Sequence, residues 1–150
     1  TAEQVTESWD KIKAQERGEM SAGEKMRALP TNLPPMLRAI KAQEAARKVG
    51  FDWEDPREAL EKVHEEAGEL LRDYESGRDV ADELGDLFFA VLNTARLMGA
   101  YPDDVVNRAT EKFIKRFIRM ESYIISDQKV GKCLTLPDWG VYWDRSKQAD

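Results

Sequence analysis

The chain has 150 residues, of which 41% are hydrophobic and 35% charged, and a formal net charge of −6. That length fits one domain with a real core, and the acidic balance argues against a general nucleic-acid binder, which would show a basic patch or an alkaline pI. The single cysteine, Cys133, sits in a polar stretch, excludes an internal disulfide framework and fits a reducing cytoplasm; with no signal peptide and no long apolar span in view, neither export nor membrane insertion is expected.

Helical periodicity dominates, and strict strand alternation is almost absent. A first helix is expected from Glu3 to about Glu19, then a loop over 20–34 carrying Gly23, Pro30 and Pro34. A helix from Pro35 to about Val49 stops at Gly50. In FDWEDP, Asp55 reads as an N-cap with Pro56 at the first helical position, opening a helix to Ser76 that Gly77 ends. The next runs from Asp79 to Met98, ended by Gly99, and Pro102 opens another to Ser126. Residues 127–137 read as a polar loop, and Pro137 starts a last short helix through Trp143 and Lys147. The expectation is an all-α fold, an antiparallel helical bundle in one domain over 1–150: an N-terminal helix and loop (1–34), core helices (35–126) and a tail with a short helix (127–150). The run LGDLFFAVLNTARLMG is apolar nearly all round. It implies a buried helix with more surface than one small bundle covers, which favours a homodimer formed by helix packing.

Two neighbouring predicted helices carry the chemistry-bearing pattern: Glu65, Glu66 and Glu69 in KVHEEAGELL, and Glu83 and Asp86 in DELGDLFFAV. Residues three or four apart share a helix face. Four carboxylates converging from two helices repel one another unless a cation neutralises them. An all-oxygen cluster suits hard divalent ions, with Mg²⁺ the usual choice where phosphate is the substrate. Such pairs also arise without function: with 29 acidic residues in the chain, roughly five i, i+3 pairs are expected by chance, and an isolated ExxE is usually a solvated face. Position sharpens the reading. Glu65 points away from the Leu60, Val63, Ala67, Leu70 stripe, whereas Glu66 lies beside it and Glu69 follows on the same flank. Asp86 lies within the apolar run, on the side of Phe89, Ala90 and Leu97, and is expected to be buried; a carboxylate there costs several kcal/mol unless it is paired or holds a metal.

Other residues carry weaker signals. Lys112 and Arg116, at i and i+4, fit either an ordinary basic surface or a phosphate grip. Phe113 and Phe117 read as core, and the lone histidine, His64, as incidental. Trp143 can stack on a base or simply pack. Asn93, two turns after Asp86, fits a sugar or metal-water contact or a satisfied buried amide.

Taken in order, SWDKIKAQER, LPPMLRAIKAQEAARKVGFDW, KVHEEAGELL, DELGDLFFAVLNTARLMG, NRATEKFIKRF and YWDRSK cover nearly the whole chain. They resemble the MazG family of nucleoside triphosphate pyrophosphohydrolases. The opening and VGFDW resemble the second, catalytic half of two-domain members, so an excised C-terminal half is expected. The resemblance implies an all-α dimer of the helical NTP pyrophosphatase type, hydrolysing nucleoside triphosphates to monophosphate and pyrophosphate with Mg²⁺, or Mn²⁺ as a substitute. It implies catalytic and metal-binding roles for Glu66, Glu69, Glu83 and Asp86, and a phosphate-side role for Lys62. Lys112 and Arg116 would contact nucleotide phosphates, with Trp143 and Lys147 a late nucleotide-side pair. Two positions depart from the family pattern. Asp79 stands where some members place a lysine, and the tail LTLPDWGVYWDRSK departs from the usual acidic pattern, which bears on base preference. Two alternatives stay open: a non-catalytic helical dimerisation or nucleotide-sensing module, and a narrow-specificity pyrophosphatase for dUTP, dCTP or phosphoribosyl-ATP. No nucleic-acid or membrane partner is expected.

Overall fold

A computed structural model of the chain describes Gly18 and residues 20–149. The helix expected from Glu3 to Glu19 lies outside these residues, Gly18 apart. The described residues form six helices and no strand: α1 (Ala22–Arg27), α2 (Pro35–Arg47), α3 (Pro56–Glu75), α4 (Ala81–Leu97), α5 (Pro102–Ser126) and α6 (Leu136–Lys147). They fall into two compact units, divided between Ala100 and Tyr101, and each is described by itself.

In the first unit α3 and α2 both pack against α4, and α1 packs against α2. Helix α1 occupies a segment that the sequence gives as loop. Its six residues are too few to show a period, but Ser21 and Glu24 close a capping box: the Ser21 hydroxyl accepts from the Glu24 N–H at 3.1 Å, and the Glu24 carboxylate accepts from the Ser21 N–H at 2.6 Å. Helix α3 starts as expected, with Asp55 Oδ1 accepting the Arg57 N–H at 2.9 Å and Pro56 in the first turn. Gly77 (φ 71°) and Gly99 (φ 68°) end α3 and α4 in the left-handed region that glycine enters without a Cβ clash. Only residues 76–80 join α3 to α4, so the two pack as an antiparallel hairpin. Asp79 sits in that joint, where its Oδ1 accepts the Ala81 N–H at 3.0 Å.

The expectation that α4 is buried all round is corrected. It buries Ala90, Leu92, Asn93 and Thr94, while Leu84, Phe88 and Val91 stay exposed, Phe88 at 62%. Asp86, expected to be buried, is also exposed. The cause is geometric: α2 and α3 cover one side of α4, and an apolar helix is buried only where a neighbour exists to bury it.

In the second unit α5 packs against α6, with Met120, Ile124 and Tyr142 as the core. Thr135 and Asp138 form a second capping box, which starts α6 at Leu136, one residue before Pro137. The Tyr142 hydroxyl donates to Asp127 Oδ2 at 3.0 Å. Phe113 and Phe117, read as core, are 54% and 37% exposed. Helix α6 has 12 residues against 25 in α5, so within this unit it covers only part of the longer helix.

Candidate active site

Glu66 is the centre of the acidic site. It lies on the face of α3 that packs on α4 and is 5% exposed, an unusual position for a carboxylate. Lys62, one turn earlier, bridges Glu66 Oε1 at 2.5 Å and Glu65 Oε1 at 2.9 Å. These two carboxylates, Glu66 first, hold the Lys62 ammonium well above the ordinary lysine range. Glu66 Oε2 is enclosed and has no hydrogen-bond partner among the described residues.

Two groups of carboxylates meet at Glu66. Glu65, Glu66 and Glu69 offer oxygens within 4.8 Å of one another, and so do Glu66, Glu83 and Asp86. Glu69 is half-buried and lies 3.4 Å from Arg72. Burial, followed by the charges of Glu69, Asp73, Asp86 and Glu66, pushes the Glu83 carboxyl above its ordinary range. All four carboxylates singled out in the sequence therefore act on one region between α3 and α4. Two further acids contribute. Glu65 is exposed as expected, yet its carboxylate belongs to the first group. Asp73 adds negative charge at Glu83 while pairing with Arg78 at 2.9 Å. Its signal was its position one turn beyond Glu69, outside the EExxE pattern.

The residues present fit a divalent cation. An uncompensated buried acceptor costs about 1–3 kcal/mol, and more when charged. The donors are all carboxylate oxygens, the ligand type of hard cations.

The other end of α4 is built differently. Arg96 donates Nη1 to Asp52 Oδ2 at 2.9 Å and Nη2 to Asp52 Oδ1 at 2.6 Å. Its Nε and Nη2 also donate to Asn93 Oδ1 at 3.0 and 2.5 Å. Arg96 holds the Asp52 carboxyl below its ordinary range. Asn93 is thus a buried amide whose oxygen is satisfied. These residues and Gln43, whose Nε2 donates to the Phe89 carbonyl at 2.9 Å, line a cavity of about 480 Å³.

The remaining sequence-derived residues belong to the second unit. Lys112 is exposed and, with Arg108, Lys115 and Arg119, lines an open basic cavity of about 410 Å³ on α5. Arg116 is half-buried. Trp143 packs against Phe113 with ring centroids 5.3 Å apart. Lys147 Nζ lies 6.0 Å from the Trp143 ring centroid and pairs with Asp144 at 2.9 Å. His64 is exposed.

An antiparallel helical hairpin that gathers carboxylates around an enclosed, unpartnered oxygen defines a class: all-helical proteins built to hold a divalent cation between two helices. Comparison with known proteins narrows it. Residues 54–118, which span both acidic motifs and Lys112 and Arg116, match the family profile described as the MazG nucleotide pyrophosphohydrolase domain. The chain is 35% identical over 142 residues to the nucleoside triphosphate pyrophosphohydrolase/pyrophosphatase MazG of Thermotoga maritima, covering 95% of this chain and 55% of that relative. It is 35% identical over 127 residues to the nucleoside triphosphate pyrophosphohydrolase of Escherichia coli K12, covering 81% and 48%. The chain is similar to the MazG family over residues 54–118 and to these relatives over most of its own length, and it spans about half the length of the curated relatives it matches.

Proposed function

We propose that this chain hydrolyses nucleoside triphosphates to nucleoside monophosphate and pyrophosphate, with Mg²⁺ as cofactor and Mn²⁺ as a substitute, in house-cleaning of aberrant or excess (d)NTPs in the cytoplasm. The observation that carries this reading is Glu66, whose Oε2 is enclosed with no hydrogen-bond partner among the described residues and whose carboxylate belongs to both acidic groups. Support comes from the curated relatives, which carry this activity in their names.

Glu66, Glu69, Glu83 and Asp86 would hold the cation. When bound, such an ion supplies Lewis-acid polarisation of phosphate oxygens and neutralises their charge. A carboxylate of the first motif accepts a proton from the attacking water. The water oxygen bonds to the α-phosphorus, the bond from that phosphorus to the bridging oxygen breaks, and the electron pair leaves with pyrophosphate. Lys62, kept cationic by Glu66 and Glu65, offsets negative charge beside the phosphates. Lys112 and Arg116 grip phosphate oxygens, Arg116 through its planar fork. Trp143 and Lys147 complete the nucleotide side, and the whole chain acts as one domain.

The exposed face of α4 formed by Leu84, Phe88 and Val91 favours a homodimer. Sedimentation equilibrium tests this: the account predicts a dimer that Phe88→Glu dissociates, and a monomeric wild-type protein contradicts it.

The activity is tested by ³¹P NMR of ATP, dTTP, dUTP and a deaminated purine triphosphate with the protein and Mg²⁺. Monophosphate plus pyrophosphate, absent with EDTA, is the expected result. Product from a single substrate points to a narrow-specificity pyrophosphatase. Intact triphosphates throughout point to a non-catalytic dimerisation or nucleotide-sensing module.

A further inference from the structure

The last turn of α6 is tied to α5 by a polar chain. Lys147 is the final residue of α6, so the Ser146 carbonyl is one of the four at that end with no donor inside the helix. Arg119 of α5, 27 positions earlier, donates its Nη1 to this carbonyl at 2.7 Å. The bond is charge-assisted, and it sets a cation against the negative end of the α6 dipole. Ser146 is 0% exposed and Arg119 is half-buried, so little water competes for the bond. The Ser146 hydroxyl in turn donates to the Trp143 carbonyl at 2.7 Å. Two bonds therefore lead from the Arg119 guanidinium through Ser146 to the backbone of Trp143.

Both ends of this chain lie beside residues given to the nucleotide side. At one end the turn carries Trp143 and Lys147. The Trp143 ring lies against Phe113, and Lys147 Nζ is 6.0 Å from the same ring. Phe113 is more than half exposed, so this ring contact leaves the turn lightly covered on that side. At the other end Arg119 lines the basic cavity with Arg108, Lys112 and Lys115. Arg119 follows Lys112 by about two turns of α5, and residues at that interval share a helix face. Arg119 thus joins the wall that includes Lys112 to the turn that carries Trp143.

We infer that Arg119 and Ser146 are positioning residues: they hold Trp143 and Lys147 in a fixed place relative to Lys112, so that an aromatic face and two cations meet the nucleotide in one arrangement. Neither residue has to touch the nucleotide. A helix end frays when its terminal carbonyls lose their partners. Loss of the Arg119 bond therefore loosens Trp143 and Lys147 and weakens substrate binding, while the carboxylates of the first unit keep their chemistry. The inference deepens the hydrolase reading and rests on it for the role of Trp143 and Lys147.

Arg119→Met, which keeps an apolar stem and removes the donor, tests it in two arms. The first needs no turnover. In protein labelled with 5-fluorotryptophan, the ¹⁹F resonance of Trp143, assigned by its loss in Trp143→Phe, shifts or broadens in Arg119→Met, while that of Trp53 stays in place. In the second arm KM for a nucleoside triphosphate rises about tenfold with kcat little changed, and Arg119→Lys, which restores a charged donor, recovers most of the loss. An unmoved Trp143 resonance overturns the inference, and a raised KM beside it shows that Arg119 acts through its charge alone. A moved resonance with unchanged KM also overturns it, because the bond is then merely structural. Ser146→Ala decides the matter if Arg119→Met fails to fold: deleting the bond to the Trp143 carbonyl moves the same resonance and raises KM about threefold. A wild type that turns over no triphosphate sinks the hydrolase reading, and the Trp143 resonance alone then decides whether Arg119 holds this turn.

Discussion

The two ends of α4 carry polar clusters of opposite character. At its N-terminal end Glu83 and Asp86 face Glu66 and Glu69 with one nearby lysine, and a buried oxygen is left without a partner. At its C-terminal end the Arg96 guanidinium is matched by Asp52 and by Asn93 Oδ1, with side chains of Asp52 and Arg96 only 13% and 11% exposed, although Gln43 Oε1 beside them is likewise enclosed without a partner among the described residues. Both clusters use ordinary helix faces two turns apart. The balanced one is stable as it stands and positions a neighbour. The unbalanced one concentrates negative charge, which the fold tolerates when something cationic is supplied. Unequal charge balance, more than burial, separates the candidate metal site from the structural pair.

The strongest way to break this comparison is to neutralise the unbalanced end. Asp86→Asn should reduce triphosphate turnover to the metal-free background while far-UV circular dichroism stays helical, because an exposed, isosteric change removes charge without opening a cavity. Retained turnover removes Asp86 from the site.

Neutralising the balanced end should have the opposite signature. Asp52→Asn leaves the Arg96 guanidinium without its carboxylate and should lower stability by about 2 kcal/mol, read as a lower urea midpoint. The pH dependence sharpens this. The folded Asp52 carboxyl titrates below its ordinary value of 3.8 because Arg96 favours the charged form. Its stabilisation is therefore complete above the unfolded value and is lost as pH falls through the lower folded value. The stability gap between wild type and Asp52→Asn should be constant near neutrality and narrow below about pH 4.

The smallest expected effect separates the ends by distance from the turn. Gly77→Ala places a Cβ at φ 71° and should cost about 1–2 kcal/mol. Because Gly77 sets the α3–α4 joint, metal affinity at Glu66 should fall with stability. Unchanged metal affinity shows that the joint does not set the carboxylate geometry.

Much of this arrangement is legible in the sequence, and the rest is not, for physical reasons. Asp55-Pro56, Gly77 and Gly99 mark the ends of α3 and α4 because caps and left-handed turns depend on local chemistry alone. Spacing places Glu66, Glu69, Glu83 and Asp86 on faces that meet. It does not reveal that Glu66 is the buried member and Asp86 the exposed one, because burial depends on which helix covers which side. The 3.6-residue period of α4 reports apolarity without reporting a partner, so Asp86 is exposed where burial is expected, and Phe113 and Phe117 differ from expectation for the same reason. Asp52 and Arg96 lie 44 positions apart, and no local pattern joins them. Neither their pairing nor the cavity behind Asn93 can be read from spacing. The α1 capping box is local and was in principle readable from Ser21 and Glu24, but six residues show no period to draw attention to it.

The most direct test of the metal site is Mn²⁺ binding followed by electron paramagnetic resonance, with wild-type protein and Glu66→Gln at matched concentration. Wild type should deplete the free Mn²⁺ signal saturably, and Glu66→Gln, which keeps the size and shape of the side chain but replaces one acceptor oxygen with an NH₂ donor, should bind at least tenfold more weakly. Equal binding by the two proteins, or none by the wild type, would contradict the claim that the unpartnered oxygen of Glu66 is the centre of a metal site.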